Sequence, residues 1–260
     1  MTKSFNAKII TPNTDLFFTF GNRTIPRSST TQNRQPFMNP WIVIDQATVP
    51  GDGGEMKLLQ RTHEFTINVK NEELMNSRLH GSEDALAELT CKPLASRHHA
   101  RVLIGGLGMG FTLGAALKHL GASAQVVVAE LVPAVIEWNR TYLADLAGRP
   151  LEDSRVVVRQ GDVGCVIKEK AAAYDAILLD VDNGPEGLTH EDNDRLYTMG
   201  GLDAAKAALR FGGVLAVWSA QPDKKFTKRL RAAGFVVQEV PVRARGDRGR
   251  WHTIWLAEKK

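Results

Sequence analysis

Val102-Leu-Ile-Gly-Gly-Leu-Gly-Met-Gly-Phe-Thr-Leu113 is an apolar run that breaks into glycines and passes into a helix-compatible segment, Phe111 to Leu120. This is the pattern of a strand, a tight turn and a helix N-terminus. Gly106, Gly108 and Gly110 permit close backbone approach to a ligand, and the helix dipole favours a polar or anionic group there. Twenty residues beyond Gly110, the run Gln125-Val-Val-Val-Ala129 ends in Glu130. A carboxylate at the tip of a second strand is placed to accept hydrogen bonds from ribose hydroxyls. Turn, helix, strand and acidic tip in register predict a bound nucleoside.

Outward from this motif the chain alternates strand and helix. Strands are predicted near 101–106, 124–130, 154–160, 175–181 and 213–219, with Pro133 suited to the first turn of a helix after Glu130. Val236 to Val242 and Trp251 to Leu256 read as two more strands, and the connector Arg243-Ala-Arg-Gly-Asp-Arg-Gly-Arg250 makes them an antiparallel pair. The expected fold over residues 97–260 is α/β: a Rossmann-like, doubly wound, mainly parallel seven-stranded sheet. Residues 38–96 read as a small β-rich lobe of short hairpin strands, closed by a helix from Glu83 to Cys91 that Ser82 caps. Residues 1–37 are rich in Thr, Ser and Asn without sustained periodicity. They are expected to be a disordered tail or a non-native extension, with a weakly ordered interaction arm as the alternative.

The bulk properties exclude several classes. Hydrophobic content of 43% and charge of 24% are those of a water-soluble globular chain, and a net charge of +4 does not call for a nucleic-acid partner. No apolar run approaches the roughly 18 residues of a membrane span, and Leu16-Phe-Phe-Thr-Phe20 is too short for a signal-peptide core. Cys91 and Cys165 read as small buried hydrophobes in a reducing compartment, so a cytoplasmic location is expected. Nothing has Cys/His metal spacing, and no metal is expected.

Ligands of an open α/β sheet bind beyond the carboxyl ends of its strands. Glu130, Asp162, Asp180 and Asp182 all fall at such ends and are expected to share a cleft. Each has a simpler reading to set beside this one. Glu130 and Asp162 sit where helix caps belong, and Asp182 precedes the turn pair Gly184-Pro185. Asp180 closes the apolar run Ala176-Ile-Leu-Leu179 and has no core partner in view, which marks it as a functional acid. The arginines at 243–250 suit phosphates or RNA, but also a solvated hairpin loop.

With these residues in place, the chain resembles the spermidine synthase family of aminopropyltransferases, from about Trp41 to the C-terminus. Those proteins have the class I S-adenosylmethionine-type fold with a small N-terminal β-domain. The family's V-L-V-I-G-G-G-D-G-G-T-L lies without gaps on Val102 to Leu113, its glutamate after strand two on Glu130, and its Gly-Asp pair on Gly161-Asp162. Its D-S-S-D-P-x-G-P-A-E-G-L-F is similar to Asp180-Val-Asp-Asn-Gly-Pro-Glu-Gly-Leu188, shortened, and its Tyr-Gln to Leu59-Gln60. The resemblance implies a cofactor site of Gln60, Gly106, Gly108, Met109, Gly110, Glu130, Asp162, Val163 and Asp180, with Asp162 and Val163 at the adenine. It admits a homodimer through the hairpin lobe.

Three departures shape the expected activity. Met109 stands where the family has an aspartate that pairs with the amine of decarboxylated S-adenosylmethionine. The gate segment is shorter, leaving Asp182 as its second acid. The family's Tyr-His pair is absent around His80-Gly-Ser-Glu83, where Glu83 persists. A loop without acid at 109 is also similar to plant putrescine N-methyltransferases. The expected function is therefore a transferase using S-adenosylmethionine, with methyl transfer to an amine or other nitrogen of a small-molecule acceptor favoured. Asp180 and Asp182 would be catalytic, and Glu83 and Asp182 would bind substrate. The alternatives are aminopropyl transfer from decarboxylated S-adenosylmethionine, and a non-catalytic nucleoside- or RNA-binding protein.

Overall fold

Four strands open the described chain: β1 (Ile42–Val49), β2 (Gly54–Arg61), β3 (Glu64–Val69) and β4 (Glu72–Asn76), paired antiparallel in chain order. Lys70 and Asn71 join β3 to β4 with φ of 51° and 68°, the backbone that a two-residue hairpin needs to match strand twist. Leu58 and Ile67 pair across β2 and β3 and are fully buried, so the inner face of this lobe is apolar. The computed structural model describes residues 39–51, 53–181, 195–245 and 248–260, and Asn39–Lys260 form one compact unit. The expectations for residues 1–37 and for Asp182 lie outside the described residues.

Helix α1 (Gly81–Cys91) follows the lobe and starts earlier than expected. His80 takes the cap position without a side-chain cap bond, and Ser82 lies inside the first turn. Its hydroxyl donates to Glu83 Oε2 at 2.6 Å and so holds that buried carboxyl in place.

The larger sheet holds β5 (Arg101–Gly105), β6 (Gln125–Glu130), β7 (Val156–Gln160), β8 (Tyr174–Leu179), β9 (Leu209–Ser219), β10 (Phe235–Arg245) and β11 (Arg248–Lys259). Their spatial order is β10-β11-β9-β8-β5-β6-β7. Strands β5 to β9 run parallel, and β11 lies between β9 and β10, antiparallel to both; the β10–β11 pair was expected, but the two strands extend to Arg245 and from Arg248, so most of the expected connector is itself strand. The chain builds outward from β5 to β7, then returns to β8 on the other side of β5. That reversal is the topological switch point at which such sheets bind ligands.

Both faces of the parallel strands are apolar, as burial on two sides requires. Val102, Ile104, Ala176 and Leu178 face α1, α2 (Phe111–His119), α3 (Pro133–Arg140) and the four-stranded lobe. Leu103, Ile177, Leu215 and Val217 face α4 (Val163–Lys168), α5 (Met199–Ala208) and α6 (Lys224–Ala232). The lobe's Leu58 and Ile67 belong to the first of these cores, so lobe and sheet are packed as one body. Trp138 Nε1 donates to Asp45 Oδ2 at 2.7 Å and ties α3 to β1. Cys91 is buried as expected, but Cys165 is exposed, because the short helix α4 turns that position to solvent. Among the described residues no helix is long and apolar enough to cross a membrane.

The amino end of β8 is anchored by Asp175, whose side chain is fully buried. It meets Arg97 at 2.8 Å and Arg210 at 2.7 Å, and accepts from the Arg101 backbone N–H at 2.7 Å. Three segments are thus pinned at the end of the sheet opposite the switch-point cleft. Asp175→Asn should lower unfolding free energy by about 2–3 kcal/mol in urea titration, since hydrogen bonds to a charged group are being weakened. A change within 0.5 kcal/mol of zero, the range of an ordinary surface substitution, would contradict that anchoring role.

Candidate active site

A cavity of about 270 Å³ opens at the carboxyl ends of β5, β6, β7, β8 and β9, and is roofed by the four-stranded lobe. Gly106 and Gly108 have φ of 87° and 51° and line it. A side chain at Gly106 would collide with the carbonyl oxygen of Asp180. One at Gly108 would press on Met75 Sδ at 2.8 Å, so the lobe lies directly over the turn. The apolar roof is Val49, Met56, Ile67, Val69, Leu74 and Met75.

Glu130 also lines the cavity and is 7% exposed. Its Oε2 accepts from Leu107 N–H at 2.9 Å and its Oε1 from Val132 N–H at 2.8 Å. Burial raises its pKa, and the backbone donors, Val132 and Leu107 first, oppose that rise. The Leu131 and Gly108 backbone N–H groups add to these donors. Asp162 caps α4 by accepting from Gly164 N–H at 2.6 Å while lining the cavity between Gly161 and Val163. The capping reading and the ligand-facing position are therefore both met by one side chain.

Three predicted contributors sit elsewhere. Met109 is 0% exposed and packed in the core, not on the cavity wall. Gly110 takes the left-handed cap of α2 at φ 82°, and a side chain there would meet Asn139 Oδ1 at 2.8 Å, so its role is to let the turn pack against α3. Gln60 donates from Nε2 to the Thr62 carbonyl at 3.0 Å within its own turn. It lies four residues along β2 from Met56, a displacement of about 13 Å at strand rise.

At the switch point Asp180 donates its backbone N–H to the Gly105 carbonyl at 2.9 Å, continuing the β5–β8 pairing beyond the strand. Its Oδ2 accepts from Thr112 Oγ1 at 2.5 Å, and it lines the same cavity as Glu83 from α1. Both acids are pushed up by burial, Asp180 to about 6 and Glu83 to about 7. Glu83 is raised further by the charge of Asp180, and the Ser82 hydroxyl offsets part of that rise. The two carboxyls therefore hold protons more tightly than exposed acids do, and the second proton is the harder to remove.

Sequence reasoning missed Thr112, Trp218 and the β1–β2 turn at Pro50-Gly51. Thr112 stands within the glycine motif, so its hydroxyl in the first turn of α2 was a usable signal. Trp218 was legible only as a strand residue. The register Leu179↔Val217 puts it beside Asp180, on the face shared by Ala176, Leu178 and Ala216. Among the described residues no cluster of His, Cys, Asp and Glu could hold a metal ion.

Comparison with known proteins agrees with this arrangement. A polyamine aminopropyltransferase of Streptomyces coelicolor is 29% identical over 158 residues, covering 58% of this chain and 29% of that protein. One from Mycobacterium tuberculosis H37Rv is 30% identical over 154 residues, covering 56% of this chain and 28% of its own. This chain thus spans about three-tenths of the length of these curated relatives. Thermotoga maritima spermidine synthase shares the fold with a TM-score of 0.65 at 20% identity, over 84% of this chain and 73% of that one. A spermidine synthase in complex with the transition-state analogue AdoDATO gives 0.65 at 19%, over 84% and 72%.

These findings correct the expectation of methyl transfer, because the relatives are named for aminopropyl transfer. The structure supplies the reason for the error: Met109, on which that expectation rested, does not face the cavity. Residues 86–230 match the spermine/spermidine synthase domain, and the chain belongs to that family.

Proposed function

We propose that this protein transfers an aminopropyl group from decarboxylated S-adenosylmethionine to a small amine. One observation carries the reading. The charged residues among the described lining of the cavity are all acids: Glu83, Glu130, Asp162 and Asp180. Such a wall repels the carboxylate of intact S-adenosylmethionine and suits the free ammonium of the decarboxylated form, as well as a cationic acceptor.

When bound, decarboxylated S-adenosylmethionine supplies an electrophilic carbon on its sulfonium. Glu130 would accept from the ribose hydroxyls, while Asp162 and Val163 would flank the adenine. Gly106 and Gly108 allow the turn to approach the sulfur side. The apolar roof excludes water and limits the acceptor to a few orientations, which is where proximity contributes. An alkyl amine is protonated at neutral pH, with pKa near about 10. Burial of Asp180 and Glu83 narrows the gap between carboxylate and ammonium, so the pair can take the proton as attack proceeds. Thr112 holds one Asp180 oxygen and leaves the other for the amine.

Turnover of decarboxylated S-adenosylmethionine with an amine, followed by chromatography of released 5′-methylthioadenosine and of the lengthened amine, tests this directly. Absence of both products across a panel of mono- and diamines would remove the proposal.

Asp180→Asn should lower kcat by about 10²–10⁴-fold, the usual contribution of a positioned acid or base, with cofactor affinity in calorimetry changing far less. In the wild type the rate should fall as pH drops through 7 towards 6, because the pair must be ionised to accept a proton. A rate flat from pH 8 to 5.5 would exclude these acids from proton transfer.

The same pair costs stability. The folded Glu83 titrates about 7 against an ordinary 4.5, so the unfolded chain ionises first and stability falls as pH rises between those values. Glu83→Gln should therefore raise unfolding free energy at pH 8 by on the order of 2–3 kcal/mol, with little gain at pH 4.5. An equal effect at both pH values would show that its burial carries no charge penalty.

A further inference from the structure

A threonine hydroxyl inside a helix has a local partner at hand, the carbonyl four residues back. Thr90 in α1 and Thr227 in α6 use it, donating to Leu86 at 2.7 Å and to Asp223 at 3.1 Å. Thr112, buried in the first turn of α2, does not. The carbonyl four residues before it, that of Gly108, accepts from Asn139 Nδ2 at 2.7 Å. The Thr112 hydroxyl donates instead to Asp180 Oδ2 at 2.5 Å, a partner 68 residues away in the chain.

That bond supplies what the backbone leaves loose. The Asp180 N–H is fixed on Gly105 and its carbonyl lies against Gly106, which sets the place of the residue but not the rotation of its carboxyl. Thr112 sets the rotation by engaging one oxygen. Asp180 Oδ1 has no hydrogen-bond donor among the described residues, and Asp180 lines the cavity. Thr112 does not line the cavity, so it can act on a guest only through Asp180. The bond differs in kind from that of Ser82 to Glu83. Ser82 adjoins its acid on one helix and moves with it, whereas Thr112 ties α2 to the end of β8. The other titratable groups among the described lining are Glu83 from α1, Glu130 at the end of β6 and Asp162 after β7. Strand β9 adds Trp218 and the lobe adds apolar side chains, while His80 and Asp84 of α1 bond to each other outside the lining.

We propose, resting on the aminopropyl-transfer reading, that Thr112 is a positioning residue: by occupying Oδ2 it turns Oδ1 to the cavity and makes Oδ1 the oxygen that takes the proton of the acceptor amine. The ammonium N–H bond breaks and its proton goes to Oδ1. The freed lone pair forms the new N–C bond as the C–S bond breaks, and the electron pair of that bond stays on sulfur as a neutral thioether. The hydroxyl also favours the ionised carboxyl to which it donates, so without it Asp180 holds its proton to higher pH.

The test measures kcat/KM for putrescine, cadaverine and n-butylamine with decarboxylated S-adenosylmethionine at pH 5.5 and 8.5, in the wild type, Thr112→Val, Thr112→Ala and Thr112→Ser. Val and Ala both remove the donor, one keeping the branched shape and the other avoiding any clash of the added methyl. Each should lower kcat/KM about tenfold more at pH 5.5 than at pH 8.5, the lower end of what a hydrogen bond to a charged group contributes. Ser keeps the donor and should hold the wild-type ratio of the two rates. Affinity for decarboxylated S-adenosylmethionine in calorimetry should be unchanged in all three variants. Equal losses at both pH values, or a Ser variant that behaves like Val, overturns the role of Thr112 and leaves aminopropyl transfer standing. A loss of cofactor affinity that accounts for the loss of rate does the same, since Thr112 would then only support the glycine turn. No product from the wild type with any of the amines brings down both.

Discussion

The close approach of the Gly106 turn to the backbone of Asp180 is the constraint on which the rest of the site depends. Asp180 N–H bonds to Gly105 and Gly106 N–H bonds to the Ala129 carbonyl, so β5, β6 and β8 are knitted together just past their ends. Any side chain at 106 would strike the Asp180 carbonyl. Because the turn is held there, Glu130 receives the Leu107 N–H, α2 starts where Thr112 can reach Asp180, and Gly108 lies under Met75 of the lobe. The Glu130 half and the Asp180 half of the cavity share one backbone crossing.

That geometry sets the electrostatics. The cavity is walled by apolar side chains of the lobe, so its acids lose hydration without gaining a cation among the described lining residues. Asp180 and Glu83 respond by holding protons, and Glu130 is stabilised by backbone N–H groups in place of a salt bridge. An unpaired buried acid is a poor structural element and a good acceptor for a cationic guest. The opposite end of the molecule shows the contrast: Asp175 is as deeply buried but engaged by two arginines, and it stabilises the sheet.

Much of this was legible in local patterns. The glycine run, the strand ending in Glu130 and the Gly161-Asp162 pair each read correctly as strand-end features, because periodicity and turn chemistry are local. Met109 misled for the same reason that the motif helped. Its position in the run aligned it with a ligand-facing residue, while its rotation into the core follows from packing that no spacing reveals. Gln60 failed similarly, since its distance from the cavity depends on which end of β2 lies over the sheet.

The sequence by itself determined the α/β class, the parallel sheet with its antiparallel edge pair and the acids at the strand ends, because hydrophobic period and glycine placement dictate these locally. Only the tertiary structure decided that Glu83 joins Asp180, that Trp218 stands beside them with His252, and that Met109 is core. Those outcomes depend on register between strands far apart in the chain and on how α1 and the lobe pack over the switch point, which are long-range contacts that no local pattern encodes.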